Sequence, residues 1–83
     1  MPMKTVFAKT SEEFKWFADF WKVVQKFWIP EKDNHDYWTQ LIDTAGKFCE
    51  KYRSNRKLYH FSLRLMTAYT NFLDEQARGD IPD

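Results

Sequence analysis

Aromatic residues are concentrated near the start of the chain, where seven of them occur from Phe14 to Trp28. At about 100° per residue, a helix would sort the apolar residues of this segment into two stripes. A surface helix usually has one apolar stripe, so this helix must be covered from two directions. The first stripe contains Phe14, Phe17, Ala18, Trp21, Val24 and Trp28, and the second contains Trp16, Phe20, Val23 and Phe27.

The composition restricts the class of protein. A length of 83 residues allows one domain, and a mean hydropathy of -0.71 with frequent charges is unlike a membrane-spanning protein. The net charge of +1 is too small to indicate a strongly basic nucleic-acid-binding face. The single cysteine, Cys49, cannot form an internal disulfide, and the first residues lack the apolar stretch of a secretory signal. We therefore expect a cytoplasmic protein.

Glycine and proline, which interrupt helices, are rare in this chain: there are two glycines and three prolines. The apolar residues between these positions recur with a helical period. We predict a single domain with three helices, over residues of about 11–28, 35–53 and 56–78. Residues 1–9 would form an arm, and residues 79–83 would form a loose tail.

The predicted helices begin at polar residues that can accept a hydrogen bond from the first turn. Short connections between them favour antiparallel neighbours. The fold class is therefore all-α, a compact up-down three-helix bundle with a possible N-terminal arm. The expected caps are Thr10 for the first helix, Asp33 or Asn34 for the second, and Ser54 or Asn55 for the third.

The second aromatic stripe is the first candidate for an interaction surface. Each helix of a three-helix bundle contacts two others, but two stripes together span more of a helix than two neighbours usually cover. Core packing, a protein interface and a pocket for a flat ligand therefore stay open as alternatives. If the stripe is an interface, a second copy could cover it and form a homodimer. The predicted interaction surface is Trp16, Phe20, Val23 and Phe27.

A basic run surrounds the predicted turn between the second and third helices. It contains Lys51, Arg53, Arg56 and Lys57. Arginine side chains match phosphate geometry, so the run is a possible contact for phosphate or nucleic acid. Cations are also common near the C-terminus of a helix, where they interact favourably with its dipole. Nucleic-acid binding is thus an alternative to protein binding.

Residues that could carry catalysis or bind a metal do not form a recognisable pattern. His35 lies next to Asp36, but consecutive residues do not share a helix face. His60 falls on the polar side of the third helix, and Cys49 falls on the buried stripe of the second. Two histidines and one cysteine without ligand spacing do not indicate a zinc site. We expect no metal, no cofactor and no enzyme activity.

Several short segments carry a resemblance to known proteins. They are Phe20-Trp21, Phe27-Trp28, Asp36-Tyr37-Trp38 and Phe48-Cys49-Glu50-Lys51-Tyr52. On these segments, residues 14–52 resemble short uncharacterised helical proteins of Gram-positive gut bacteria and their phages. The resemblance implies a small cytoplasmic helical bundle and transfers no functional residue.

These observations favour a small non-enzymatic protein-protein interaction module that self-associates through an aromatic face of the first helix. The alternative is a small regulator that binds nucleic acid or phosphate through the basic turn.

Overall fold

The computed structural model describes residues 11–79, which form three α-helices and no strand. Helix α1 spans Glu12–Phe27, α2 spans His35–Lys51 and α3 spans Arg56–Ala77. The predicted all-α three-helix bundle is confirmed. The predicted arm lies outside the described residues, and so does the predicted tail after Gly79.

The helix starts depend on short polar side chains. Ser11, Asn34 and Asn55 each accept a hydrogen bond from the backbone N–H three residues further on, at 3.1–3.2 Å. This contact satisfies one of the free N–H groups of each first turn. Asn34 and Asn55 confirm two predicted caps, whereas α1 is capped by Ser11 and not by Thr10. At the other end of α3, Gly79 adopts a positive φ of 80°, which favours glycine after a helix.

Ring contacts between helices define the chain direction. Near the start of α1, Trp16 lies 5.9 Å from Phe48, which is close to the end of α2. At the other end, Phe27 of α1 meets Tyr37 at the start of α2, with 5.5 Å between ring centroids. Helix α2 therefore runs antiparallel to α1. Helix α3 runs back alongside α2, so it is parallel to α1, and the bundle has the predicted up-down order.

The core lies between the three helices and draws on all of them. Leu41 of α2 and Leu73 of α3 are almost completely buried at its centre. Because aromatic rings remove a large apolar area from water, this small chain compensates for its size with ring-rich packing. The buried aromatic side chains are Trp16, Phe27, Tyr37, Phe48, Tyr52 and Tyr69.

Two tyrosines from neighbouring helices stabilise the end of α1. The Tyr37 hydroxyl donates to the backbone oxygen of Phe27 at 2.7 Å. The Tyr69 hydroxyl donates to the backbone oxygen of Val24 at 2.9 Å. The last four carbonyl groups of a helix lack partners within the helix. These two side chains from α2 and α3 therefore bond carbonyl groups in the last turn of α1.

The three helices are not equally close to one another. The backbones of α1 and α2 approach closely, and so do those of α2 and α3, whereas α1 and α3 meet mainly through long side chains. Aromatic side chains therefore bridge the wider gap between α1 and α3. This arrangement leaves a groove between the two helices on the side away from α2.

Candidate interaction surface

The second aromatic stripe of α1 belongs to the core. Trp16, Val23 and Phe27 are buried, with Trp16 only 3% exposed. Phe20 is half-buried and packs against Phe48 and Tyr69 at centroid distances of 6.1 and 6.3 Å. The structure therefore corrects the expectation that these α1 residues form a surface. They face the junction of α2 and α3, where neighbouring side chains cover them.

A buried polar contact explains how Trp16 is accommodated. Its indole Nε1 donates to Ser62 Oγ at 2.8 Å, and the Ser62 hydroxyl donates to the backbone oxygen of Leu58 at 2.6 Å. The ring also stacks on Phe61 at 4.8 Å. A buried N–H without a partner would cost about 1–3 kcal/mol. Ser62 thus lets α3 bury a tryptophan of α1.

The first aromatic stripe is the exposed one. Phe14, Phe17, Trp21 and Trp28 are each between 46% and 62% exposed. They lie on the side of α1 that turns away from α2, where the α3 backbone is too distant to cover them. Single exposed rings are common on proteins, but a contiguous group of this size usually marks an interaction site.

Helix α3 extends this exposed group across the groove. Phe61 is 47% exposed and stacks on the ring of Trp16. Further along, the ring of Phe72 in α3 lies 6.3 Å from the ring of Trp28, which directly follows α1. We define the α1–α3 aromatic face by its half-exposed rings. They are Phe14, Phe17 and Trp21 of α1, Trp28 directly after α1, and Phe61 of α3.

A groove of about 700 Å³ runs between the two helices at the N-terminal end of this face. Phe17 and Trp21 form part of its α1 wall, and Phe61 forms part of its α3 wall. Its charged lining residues are Glu13 on α1 and Lys57 on α3. A shallower depression of about 510 Å³ continues beside Trp21 towards the end of α1. The concave surface therefore follows α1 and is mostly apolar.

The predicted basic contact is partly neutralised by acidic neighbours. Lys51 Nζ lies 2.7 Å from Asp19 Oδ2, and Arg53 lies 2.9 Å from Glu50. The first pair links α2 to α1, and the second is a local pair at the C-terminal end of α2. Arg56 and Lys57 are exposed in the first turn of α3. The structure thus places the four cations near one turn, but two of them already contact carboxylates.

Asp19 forms the centre of a small polar cluster between α1 and α2. Besides Lys51, it accepts a hydrogen bond of 2.6 Å from the Tyr52 hydroxyl. Burial alone would raise the pKa of Asp19, but the hydrogen bonds from Lys51 and Tyr52 outweigh it, so this pKa lies below its usual value. Burial and the Asp19 carboxylate raise the pKa of Tyr52. The cluster connects α1 to α2, and it pairs the charge of Lys51 with Asp19, so this lysine is less available to a ligand.

Residues that could carry other chemistry are not brought together. Cys49 is buried, and burial raises the pKa of its thiol, which disfavours the nucleophilic thiolate. His60 is exposed beside Tyr59, and His35 lies near Thr39. Among residues 11–79, no group of three His, Cys, Asp or Glu side chains could hold a metal ion.

The exposed face could not be predicted from the sequence because α3 does not turn all of its apolar residues towards the core. Phe61 belongs to the apolar residues of α3, yet it is half-exposed, whereas the polar Ser62 is completely buried. The residue that could have indicated the orientation of α3 is Ser62, a small residue that can accept a hydrogen bond from a tryptophan on another helix. Its position shows that α3 turns Ser62, and not Phe61, towards the core. No helix within residues 11–79 then covers the outward stripe of α1.

Comparisons with protein-family models, curated proteins and solved structures give no match for this chain. Within residues 11–79, no helix combines the length and apolar character needed to cross a membrane. The exposed aromatic surface of the chain is therefore the basis for its proposed function.

Proposed function

We propose that this chain is a non-enzymatic protein-interaction module that presents its α1–α3 aromatic face to an apolar helix. The observation that carries the proposal is the row of half-exposed rings along α1, next to an otherwise well-buried core. Large aromatic side chains are the typical anchors of protein interfaces because each one buries much apolar area on binding. Action in the cytoplasm is part of this proposal and is supported by the free thiol of Cys49.

The shape and charge of the groove favour a protein partner. The depressions beside α1 form a long, open surface, and a helix fits such a surface through residues spaced by three and four. Glu13 and Lys57 have opposite charges, so the groove does not select an anion or a cation. Apolar contact would supply most of the binding free energy, with charges at the rim affecting orientation.

A selection with displayed helical peptides tests this function. A library of amphipathic peptides of the length of α1 is selected for binding to the wild-type chain. The enriched peptides are then measured against Trp21→Glu and Ile42→Glu. Ile42 lies on α2, is 70% exposed and does not line the groove, so Ile42→Glu controls for an added surface charge.

We expect enriched peptides with apolar residues spaced by three and four, with binding lost in Trp21→Glu and retained in Ile42→Glu. Circular dichroism of both variants must show the wild-type helix content. If the chain is monomeric and no enriched peptide depends on Trp21, the aromatic face is not a binding surface and the proposed function is wrong.

The exposed cations at the start of α3 support a second candidate. Arg56 and Lys57 lie where the helix dipole disfavours positive charge, which is a reason to consider a use in binding phosphate or nucleic acid. This function predicts binding that weakens steeply with salt. It also predicts that Arg56→Ala combined with Lys57→Ala removes binding without loss of folding. Binding of RNA or DNA oligonucleotides at low and high salt measures both effects.

A further inference from the structure

We infer that the partner of the α1–α3 aromatic face is a second copy of this chain, packed with its α1 antiparallel to the first. This inference rests on the proposed function and identifies its partner. The resulting homodimer would have two-fold symmetry, with an axis that passes close to Trp21. The same surface patch on both subunits is what such an interface requires.

The spacing of the exposed stripe identifies a helix as the occupant. Phe14, Phe17, Trp21, Val24 and Trp28 follow one another at alternating intervals of three and four residues. This pattern produces a straight apolar seam between two helices that pack side by side. Trp21 lies at the middle of the seam, so a second α1 can align with the first over its full length.

The exposed area is large enough for a dimer. An aromatic side chain that is about half exposed leaves roughly 100 Å² in contact with water, because full burial removes about 150–250 Å². The five rings of the aromatic face therefore expose roughly 500 Å² per chain, at the upper end of apolar patches on monomers. Two copies would bury roughly 1,000 Å² through the rings alone, which reaches the minimum of about 1,000 Å² expected of a biological interface.

The small size of the chain adds a reason to dimerise. A chain of this length buries only about 60–65% of its unfolded surface when it folds alone. Small domains commonly gain their remaining stability from disulfides, metals or association. Within residues 11–79, Cys49 is a free thiol and no group of metal-ligating side chains is present. Association through the apolar seam is the device that the described residues offer.

The charges along α1 favour the antiparallel arrangement. Its first turn contains Glu12 and Glu13, and its last turn contains Lys26. Parallel packing would place the acidic turns of both copies side by side. Antiparallel packing instead places each acidic turn towards the basic end of the other helix, with opposed helix dipoles. In this arrangement, Phe14 lies beside Trp28 of the partner subunit.

Light scattering across protein concentration tests the dimer. We expect the wild-type chain to have a mass near twice the 10.2 kDa of one chain. High salt should leave the mass unchanged because apolar contacts are not screened. Trp21→Glu should halve the mass while the far-ultraviolet circular dichroism is retained, and Ile42→Glu should stay dimeric.

A wild-type monomer at every concentration would overturn the inference, and so would a dimer that Trp21→Glu does not dissociate. If Trp21→Glu fails to fold, Phe17→Glu replaces it, since Phe17 is 62% exposed. The peptide selection separates the two claims. A monomer whose peptide binding depends on Trp21 keeps the proposed function and excludes the second copy, whereas a monomer without such binding excludes both.

Spin-label distances test the orientation in a Cys49→Ala background. Labels are attached to Glu13→Cys or to Gln25→Cys, on the rim of the same face. Antiparallel packing about Trp21 separates the two position-13 labels by about 24 Å along the axis and the two position-25 labels by about 12 Å, at 1.5 Å per residue. Parallel packing predicts equal short distances for both pairs. Equal distances would overturn the antiparallel arrangement.

Discussion

The two aromatic stripes of α1 have similar side chains, but one stripe is buried and the other is exposed. Trp16 is 3% exposed in the core, whereas Trp21 is 57% exposed, although only five positions separate them on the same helix. The inward stripe faces α2, whose backbone is close, and a part of α3 that provides Ser62 as a hydrogen-bond acceptor. The outward stripe faces the wider gap between α1 and α3. Helix spacing and polar partners, more than hydrophobicity, decide which rings become core.

The largest expected effect compares these two tryptophans directly. Trp16→Ala should lower the free energy of unfolding by about 3–5 kcal/mol because it removes a buried ring and leaves a cavity. Trp21→Ala should change it by less than about 1 kcal/mol when measured on dilute, monomeric protein, as is usual for a surface site. Urea denaturation followed by circular dichroism measures both. Equal losses for the two variants would show that Trp21 is also a core residue.

Substitution of Ser62 tests why the inward stripe of α1 is buried. Ser62→Ala should destabilise the chain by about 1–3 kcal/mol, since it leaves the buried Trp16 N–H without an acceptor. Thr67 makes the same type of bond to a carbonyl four residues earlier but is exposed. Thr67→Ala should therefore stay within about 0.5 kcal/mol of the wild type. A double-mutant cycle with Trp16→Phe should show that the effect of Ser62→Ala depends on the indole.

The tyrosines at the end of α1 test the contribution of single hydrogen bonds. Tyr37→Phe and Tyr69→Phe should each cost about 1 kcal/mol, because each removes a donor to an α1 carbonyl. Tyr59→Phe is the control, since among residues 11–79 its ring contacts His60 and its hydroxyl makes no hydrogen bond. Thermal unfolding of the three variants compares them. A loss for Tyr59→Phe as large as the other two would contradict this explanation.

The contribution of Tyr69 should also depend on pH. Burial and the nearby Tyr37 raise the pKa of Tyr69 from 10.0 to about 12 in the folded chain. A raised folded pKa gives stability that is present below the unfolded pKa and lost as pH rises through the folded value. The difference between wild type and Tyr69→Phe should therefore shrink as pH rises from 10 to 12.

The smallest expected effect concerns the polar link between α1 and α2. Asp19→Asn should cost about 0.5–1 kcal/mol at neutral pH, because a partly exposed ion pair contributes little. The folded pKa of Asp19 lies below its usual value of 3.8, so this contribution is present above that pH and is lost as the pH falls through the lower folded pKa. Urea denaturation of wild type and Asp19→Asn at pH 7 and in acid measures the difference. A difference that grows in acid would contradict the depressed pKa.

Much of the fold follows from local sequence features. The predicted helices agree with the observed ones to within two residues at each end, because the caps Asn34 and Asn55 act on their own first turns. The predicted cap of α1, Thr10, is wrong by one residue, because the neighbouring Ser11 has a similar hydroxyl side chain and caps the helix instead. The candidate surface could not be predicted from local features in the same way. Helical period identifies two stripes on α1 but cannot say which one another helix covers.

The sequence by itself determined that this protein is helical, where its helices lie and that α1 has more apolar surface than one neighbour can cover. These properties depend on period, capping and scarce glycine and proline, which act over a few residues. Only the tertiary structure decided that Trp16 is buried and Trp21 is exposed. That outcome depends on how α3 is rotated and how far it lies from α1. The hydrogen bond between Trp16 and Ser62 joins residues 46 positions apart, so local sequence features cannot predict it.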